Sequence, residues 1–232
     1  MQDNRLPSLP TVQQSSATDQ VFDALYQAVV SVDLLPGSKV SEAEIAKQLG
    51  VSRQPVRDAF FRLSKLGFLQ IRPQRATLIT KISTDAVFEA IFIRNALEFA
   101  CLTAAMDKMD DSGLAALQDL IDQQMATTAP EESIQFQQLD DAFHFKIAEI
   151  GGHDHVWTLI RDHKGQMDRV RYLSLVDGKQ RTIDEHVQIL NAIRNGDALT
   201  ASNVLNEHLC HIKTYIHDIR AQYPDYFEEN SQ

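Results

Sequence analysis

The amino-acid sequence predicts a mainly α-helical protein, in which an N-terminal winged helix-turn-helix is followed by an all-α antiparallel helical bundle. Three observations predict this fold class. Apolar residues recur at helical spacing from Thr18 onwards. Two short β-rich runs follow Gly67, and only helical patterns follow Ser83. The chain has 232 residues, which is enough for two modest domains with separate cores.

The first helix is predicted from its apolar period and from the turn that ends it. Its apolar face comprises Val21, Leu25, Ala28, Val29 and Val32. The Pro-Gly pair in LLPGS then breaks the helix. Residues 1–17, which precede it, mix Pro, Ser, Gln and Asn without apolar periodicity, and this composition predicts a flexible N-terminal arm.

The second and third helices are predicted from their N-terminal signals. In SEAE, Ser41 stands three residues before Glu44, which is the spacing of a capping box, and Gly50 ends the second helix. Ser52 is positioned to cap the third helix, and Pro55 is tolerated in the first turn of that helix. The apolar face of the third helix comprises Val56, Ala59, Phe60, Leu63 and Leu66.

A two-stranded wing is predicted after the third helix. Its strands are the runs Phe68 to Ile71 and Thr77 to Ile82, with a basic, proline-containing turn between them. Three helices with a tight glycine turn, followed by a β-hairpin, describe a winged helix-turn-helix. We assign residues 18–82 to this DNA-binding domain.

The rest of the chain is predicted to form an antiparallel bundle of six helices. The predicted breaks between them lie near Asp110 to Gly113, Thr127 to Pro130, Gly151 to Gly152, Asp177 to Gly178 and Asn195 to Gly196. We assign residues 83–225 to this helical domain and residues 226–232 to a C-terminal tail.

Charge is distributed unevenly along the chain. The net charge is -10, yet between Val51 and Lys81 seven basic residues stand against one acid. From Ser83 to the end, 12 basic residues face 25 acidic ones. A basic segment fused to an acidic remainder indicates a polyanion-binding module joined to a domain with another task.

The sequence also argues against membrane and secreted proteins. No stretch approaches the roughly 18 uninterrupted apolar residues of a membrane span, and the N-terminus lacks a secretory signal pattern. We therefore expect a cytoplasmic protein without a membrane partner. Cys101 and Cys210 lie in separate apolar helical patterns, and we interpret them as two reduced thiols.

Two arginines of the third helix are candidates for reading DNA. Arg53 and Arg57 are one turn apart near the N-terminus of the helix, where a recognition helix meets base edges. A guanidinium that donates two hydrogen bonds to guanine contributes about 1–3 kcal/mol of discrimination. The alternative is that both arginines only solvate an exposed face, with Arg57 paired to Asp58 or another acid. The residues better placed for phosphates or the minor groove are Ser52, Gln54, Arg72 and Arg75.

The segment DLLPGSKVSEAEIAKQLGVSRQPVRDAFFRLSKLGFLQIRP resembles the DNA-binding domain of the GntR family of bacterial transcription regulators. The shared pattern comprises the PG turn, SE-x-x-LA, LGVSR-x-PVR-x-A and L-x-x-x-G-hydrophobic. The resemblance implies that Arg53 and Arg57 contact guanines of a short palindromic operator in double-stranded DNA, and that the protein is a homodimer. The wing tip departs from the family, because Ala76 follows Arg75 where the family usually has glycine.

A candidate metal site is spread over three helices of the acidic domain. Asp140 and His144 are four residues apart, so their side chains leave one helix face at neighbouring levels. His186 and His208 lie on apolar faces of two later helices. One carboxylate and three imidazoles suit a divalent ion such as Zn²⁺ or Ni²⁺. The alternative is that each histidine is an ordinary core or surface residue, and His211 is a rival ligand one turn beyond His208.

Residues 84 to 222 resemble the helical effector domain, called FCD, of the FadR subfamily within the GntR family. The matching pieces are R-x-x-LE at Arg94 to Glu98, D-x-x-FH at Asp140 to His144, EH-x-x-I-x-x-AI-x-x-GD at Glu185 to Asp197, and the inward His208. The resemblance implies that Asp140, His144, His186 and His208 bind a metal. It also implies that Arg94 reaches a bound carboxylate, whereas its alternative partner is Glu98 on the next turn.

Neither site has the pattern of an enzyme, since the sequence carries no nucleophile elbow and no phosphate loop. We therefore predict a transcription regulator, repressor or activator, whose operator affinity is controlled by a small organic acid bound with a divalent metal. Two alternatives remain open. One is a regulator whose helical domain is metal-free and only dimerises, and the other is a metalloenzyme with a DNA-binding module.

Overall fold

The computed structural model describes residues 16–72, 76–127 and 129–229, with only the backbone described at residues 130 and 175–177. The predicted fold class is confirmed, because a small helical unit with a short sheet is followed by a helical bundle. Residues 1–15 of the predicted arm lie outside the described residues. The helices of the first unit are α1 (Ala17–Val30), α2 (Glu42–Leu49) and α3 (Arg53–Lys65).

These three helices begin and end where local chemistry favours it. A capping box forms at the start of α1, where Ser16 and Asp19 exchange hydrogen bonds with each other's backbone N–H. Ser41 and Ser52 occupy the N-cap positions of α2 and α3 with extended backbone, but neither side chain makes the predicted capping bond. Gly50 ends α2 with φ +67°, a left-handed conformation that glycine adopts without strain. This residue makes the tight turn into α3.

The core of the first unit forms where the apolar faces of the helices meet. Val56, Ala59, Phe60 and Leu63 of α3 are buried against α1, as their helical spacing predicts. Burying one large apolar side chain contributes about 1.5–3 kcal/mol. The opposite face of α3 is left exposed to solvent.

The sheet of the first unit has one more strand than the sequence predicts. Its strands are β1 (Lys39–Val40), β2 (Leu69–Gln70) and β3 (Thr77–Ile79), in the order β1-β3-β2 with antiparallel pairing. The wing is therefore formed by β2 and β3, which are shorter than the predicted strands. A strand of two residues carries no alternating pattern, which explains why β1 has no signal in the sequence.

The bundle comprises α4 (Thr84–Met106), α5 (Asp111–Ala126), α6 (Ser133–Ile150), α7 (Asp154–Arg194), α8 (Ala198–Cys210) and α9 (Ile212–Gln222). The predicted break at Asp177 to Gly178 is wrong, because α7 runs through it. An isolated glycine in a helix costs only about 1 kcal/mol, and packing against α4 and α8 offsets this. The chain breaks instead at His211, which keeps right-handed helical backbone angles and carries no sequence signal.

Among the described residues, no helix combines the length and the apolar character needed to cross a membrane.

The two units are fastened to each other through α7 and through the C-terminal segment. Arg169, which is buried, donates from Nη2 to the carbonyl of Thr80 at 2.9 Å. Ile82, in the connection between the units, pairs in parallel with Phe227, with backbone hydrogen bonds of 2.8 and 3.0 Å on either side. Phe227 is buried, so the segment predicted as a tail begins by packing on the inter-unit connection.

The close packing of Gly165 of α7 against Phe68 predicts a measurable effect on stability. A Cβ added at Gly165 of α7 would stand 2.1 Å from Cζ of Phe68, whose ring is buried beside the wing. Alanine is favoured over glycine in a helix by about 1 kcal/mol, but overpacking costs about 1–3 kcal/mol. We therefore expect Gly165→Ala to lower the free energy of unfolding by up to about 2 kcal/mol, measured by denaturant unfolding.

Gly178→Ala provides a matched control on the same helix. The nearest heavy atom to a Cβ at Gly178 is 4.0 Å away, so only the helix preference acts there. We expect a gain of up to about 1 kcal/mol for this variant. Equal stabilisation by both substitutions would contradict the close contact between Gly165 and Phe68.

Candidate DNA-binding face and candidate metal centre

The exposed face of α3 carries the predicted DNA-reading residues. Arg53, Gln54 and Arg57 are exposed, and the side chain of Arg57 is 62% exposed. Nε of Arg57 lies 3.5 Å from Oε2 of Glu42, and an exposed pair of this kind contributes at most about 1 kcal/mol. The guanidinium is therefore able to exchange Glu42 for a base edge at small cost.

Three of the four residues predicted for phosphates or the minor groove are described. Ser52 is exposed at the N-cap of α3, and Gln54 donates to Asp58 at 2.9 Å. Arg72 is exposed at the end of β2, where its Nε donates to Oε1 of Gln70 at 3.0 Å. Arg75, at the wing tip, lies outside the described residues.

The four predicted metal ligands meet at one point inside the bundle. Asp140 and His144 come from α6, His186 from α7 and His208 from α8. One ligand atom of each residue lies within 4.8 Å of those of the other three, and all four residues are buried or nearly so. Nε2 of His144 and Nε2 of His208 are 3.1 Å apart. His211, the rival candidate, lies between α8 and α9 and is not part of this cluster.

Each imidazole is oriented by an acceptor on its far side. Nδ1 of His144 lies 2.6 Å from Oε2 of Glu98, and Nδ1 of His208 lies 2.7 Å from Oε2 of Glu185. Nδ1 of His186 lies 2.9 Å from Oε1 of Gln124. A proton on Nδ1 of each ring would face one of these acceptors, and the lone pairs of the three Nε2 atoms would then point to the common centre. Supporting acceptors of this kind accompany most metal-bound histidines.

The two oxygens of the Asp140 carboxylate face different groups: Oδ2 faces Arg171 and Oδ1 faces the histidines of the cluster. Its Oδ2 accepts from Nη2 of Arg171. Its Oδ1 lies 3.6 Å from Nε2 of His186 and 4.0 Å from Nε2 of His208. Within the described part of the chain, neither this Oδ1 nor Nε2 of His186 has a hydrogen-bond partner, although both are buried. Buried polar atoms are nearly always satisfied, so a divalent cation fits this donor set.

The electrostatics of the cluster favour the protonation states that metal ligands need. Burial opposes ionisation of Glu98, but the charges of Arg94 and His144 outweigh it and lower its pKa to about 2. Burial likewise opposes ionisation of Asp140, while the charge of Arg171 holds its pKa well below the usual value. Burial lowers the pKa of His186 and of His208. The carboxylates are thus ionised and these two imidazoles neutral near pH 7.

Arg94 of α4 lies at the edge of the same cluster. Its Nε donates to Oε1 of Glu98, so the alternative partner considered from the sequence is present, but both side chains are buried. Its Nη2 is 4.0 Å from Oδ2 of Asp140 and has no hydrogen-bond partner among the described residues. A buried N–H without a partner is costly, and a bound carboxylate would satisfy it.

Sequence reasoning missed the residues that support the cluster. These are Gln124, Arg171, Glu185 and, in a supporting role, Glu98. Glu98 and Glu185 stand inside the motifs quoted from the sequence, so the resemblance contained a signal for them. Gln124 and Arg171 come from α5 and the middle of α7, where no spacing in the sequence marks them.

Comparisons with known proteins agree with this arrangement. Residues 17–79 match the model of bacterial regulatory proteins of the gntR family, and residues 89–211 match the FCD domain. The chain is 32% identical to the HTH-type transcriptional repressor RspR of Escherichia coli K12, over 90% of this chain and 93% of RspR. It is also 32% identical to an HTH-type transcriptional regulator of Streptomyces ambofaciens, over 89% and 88% of the two chains.

A solved structure shows the same fold. The structure of McbR/YncC of E. coli aligns with 90% of this chain and 100% of its own, with a TM-score of 0.73 and 24% sequence identity. The relatives are transcription regulators, which confirms the prediction that the chain is not an enzyme. With a gntR-type helix-turn-helix in front of an FCD domain, the chain belongs to the GntR family of bacterial transcription regulators.

Proposed function

We propose that this regulator binds a palindromic operator as a homodimer, and that a small organic acid bound with a divalent metal in the helical domain controls its operator affinity. The observation that carries the proposal is the convergence of Asp140, His144, His186 and His208 on one buried point. Because chromosomal DNA is the target, we place the protein in the cytoplasm.

Asp140, His144, His186 and His208 would hold the metal, and Zn²⁺ or Ni²⁺ suits one carboxylate and three imidazoles. Bound there, the ion would supply a Lewis-acidic position for an oxygen of the acid. Nη2 of Arg94, which is buried and lacks a hydrogen-bond partner among the described residues, would donate to the carboxylate of the acid.

On the DNA side, Arg53 and Arg57 would read guanines in the major groove. Ser52, Gln54, Arg72 and Arg75 would contact phosphates or the minor groove. We assign residues 18–82 to DNA binding and residues 83–225 to effector binding and dimerisation.

Helix α7 supports a coupling between the two sites. It carries His186 of the ligand cluster, and it also carries Gly165 and Arg169, which contact the DNA-binding unit. A ligand that favours one packing of α7 would therefore bias the position of the wing. Because such coupling is reciprocal, operator DNA would change the affinity for the acid by the same factor.

The dimer proposal is supported by an apolar face of α4. Phe92 is 74% exposed and Phe99, two turns later, is 49% exposed. Large exposed aromatic residues on one face are typical of a protein interface, and a second copy of this chain would cover them. We expect Phe92→Asp to weaken the dimer at least about 30-fold, measured by sedimentation equilibrium.

Leu159→Asp is the control for this variant, since Leu159 is a large apolar residue that is 52% exposed on a different helix, α7. It should leave the dimer unchanged. A Phe92→Asp protein that dimerises as tightly as the parent would place the interface elsewhere.

The proposed function is tested with full-length protein purified without a chelator or a His-tag. Elemental analysis should find about one divalent metal ion per chain. DNA sites selected from a random pool should contain a palindrome, and removal of the metal should abolish any response of operator binding to organic acids. Absence of metal, with no thermal shift on adding Zn²⁺ or Ni²⁺, would favour the alternative of a dimerisation domain.

A further inference from the structure

An exposed aromatic ring lies on the outward face of α3, one turn beyond Arg57. The residue is Phe61, which is 58% exposed, whereas its neighbour Phe60 is buried in the core of the unit. At about 100° per residue, Phe61 lies about 40° around the helix from Arg57 and about 20° from Gln54. It therefore shares a face with two of the residues proposed to contact DNA, and this face is opposite the buried one.

The surroundings of this ring are polar and basic. The other exposed residues close to it on α3 are Gln54, Arg57, Asp58 and Lys65. Nζ of Lys65 lies 5.3 Å from the centre of the ring. A partner protein that covered this face would have to desolvate these charged groups, and the cores of protein interfaces are depleted of charge.

A polyanion that carries an apolar group fits this face better than a protein does. Seven basic residues and one acid lie between Val51 and Lys81, so the segment around α3 attracts negative charge. DNA presents an apolar group in its major groove, the C5 methyl group of thymine. A phenylalanine ring recognises this methyl group by apolar contact, because the ring has no hydrogen-bonding group for a base edge.

The position of Phe61 along α3 is compatible with such a contact. The major groove admits an α-helix, and the outward face of a recognition helix lies against the base edges. The four residues from Arg57 to Phe61 rise about 6 Å along the helix, which is close to two base pairs at about 3.4 Å each. Phe61 would therefore reach a base pair close to the guanine that Arg57 is proposed to read.

From these observations we infer that Phe61 determines operator specificity, and that it reads a thymine through the methyl group of that base. The thymine lies about two base pairs from the guanine contacted by Arg57, once in each half-site. Lys65 would bind the phosphate beside it. The inference rests on the proposed operator binding by α3, and it adds a second kind of base and the residue that recognises it.

The test removes the methyl group from the DNA. Deoxyuridine differs from thymidine only in lacking the C5 methyl group. Each thymine of the palindromic operator selected by the full-length parent is replaced by deoxyuridine, in symmetric pairs, and the affinity is measured by fluorescence anisotropy. Burial of one methyl group corresponds to about fourfold in affinity. At one symmetric pair of positions, the parent should therefore lose about 15-fold, since one methyl group is lost in each half-site.

The variant Phe61→Ala should bind the thymine and deoxyuridine operators within about twofold of each other at that pair of positions. It should still prefer guanine at the position read by Arg57. Because the ring is exposed, its removal leaves the core of the unit intact, and sedimentation equilibrium should show the same assembly as the parent.

Leu35→Ala is the matched control. Leu35 is an apolar residue of the same unit that is 48% exposed, and it lies outside α3, between α1 and β1. This variant should keep the dependence of the parent on the thymine methyl group.

Absence of a methyl effect at every thymine of the operator, or an equal effect in Phe61→Ala, would overturn the inference. A changed assembly in Phe61→Ala would also overturn it, since the ring would then belong to a protein interface. Failure of the proposed function gives a different result. If the parent selects no palindromic site, operator binding and the inference fail together. If a site is selected and depends on Arg57 but on no thymine methyl group, the inference alone fails.

Discussion

Zinc affinity is expected to fall at least about 100-fold when His144 is replaced by alanine. The substitution removes one of four ligand atoms that lie within 4.8 Å of one another. Loss of a supporting residue alone costs about 10- to 100-fold in metal affinity, so loss of a ligand costs at least the upper end of that range. Competition with a chromophoric chelator measures the affinity directly.

Two further variants show whether the effect comes from the ligand cluster. Glu98→Gln keeps the shape of the residue beside Nδ1 of His144 but removes its charge, so we expect an intermediate loss of about tenfold. His163→Ala removes an exposed histidine of α7 and should change nothing. If His144→Ala binds zinc as tightly as His163→Ala does, the proposed metal centre is refuted. Operator binding by the metal-free protein should be the same in all three variants.

Operator affinity is expected to fall about 10- to 100-fold in Arg57→Ala, with little change in affinity for unrelated DNA. Under the proposed function, the substitution would remove a two-bond contact with guanine, whereas the proposed phosphate contacts of other residues would remain. The variant Arg57→Lys keeps the charge but not the planar pair of donors, and we expect it to lose discrimination as well. Fluorescence anisotropy with the selected operator and a scrambled duplex separates the two affinities.

Arg194→Ala is the control, because it removes an exposed arginine of the bundle, far along the chain from α3. If Arg57→Ala binds the operator as tightly as Arg194→Ala does, Arg57 only solvates the surface of α3. If Arg57→Lys retains full discrimination, the contribution of Arg57 is its charge and the DNA is read by other residues.

The parts of the structure that sequence could predict are those with a repeating or local signal. The buried face of α3 follows helical spacing, and Arg53 and Arg57 then lie on the opposite face. Asp140 and His144 share one face of α6 for the same reason. His186 and His208 were placed from their apolar neighbours and from family resemblance, and the structure brings them to the same point.

The parts that sequence could not predict depend on contacts between distant segments. Arg171 meets Asp140 and Gln124 meets His186 only because α5, α6 and α7 pack together. Helix α7 continues through Gly178 because tertiary packing offsets a small local preference. The pairing of Ile82 with Phe227 joins positions 145 residues apart, and neither residue carries a mark of it.

The pairing of Ile82 with Phe227 joins the C-terminal segment to the connection between the two units. Two backbone hydrogen bonds and the burial of Phe227 stabilise this pairing. Each hydrogen bond contributes about 1 kcal/mol and the buried ring about 1.5–3 kcal/mol, so the total is only a few kcal/mol. Contacts that contribute this little open more readily than the cores of the two units. Proteolytic removal of the segment that begins at Phe227 would remove this pairing, and the two units would then rotate more freely about residue 82.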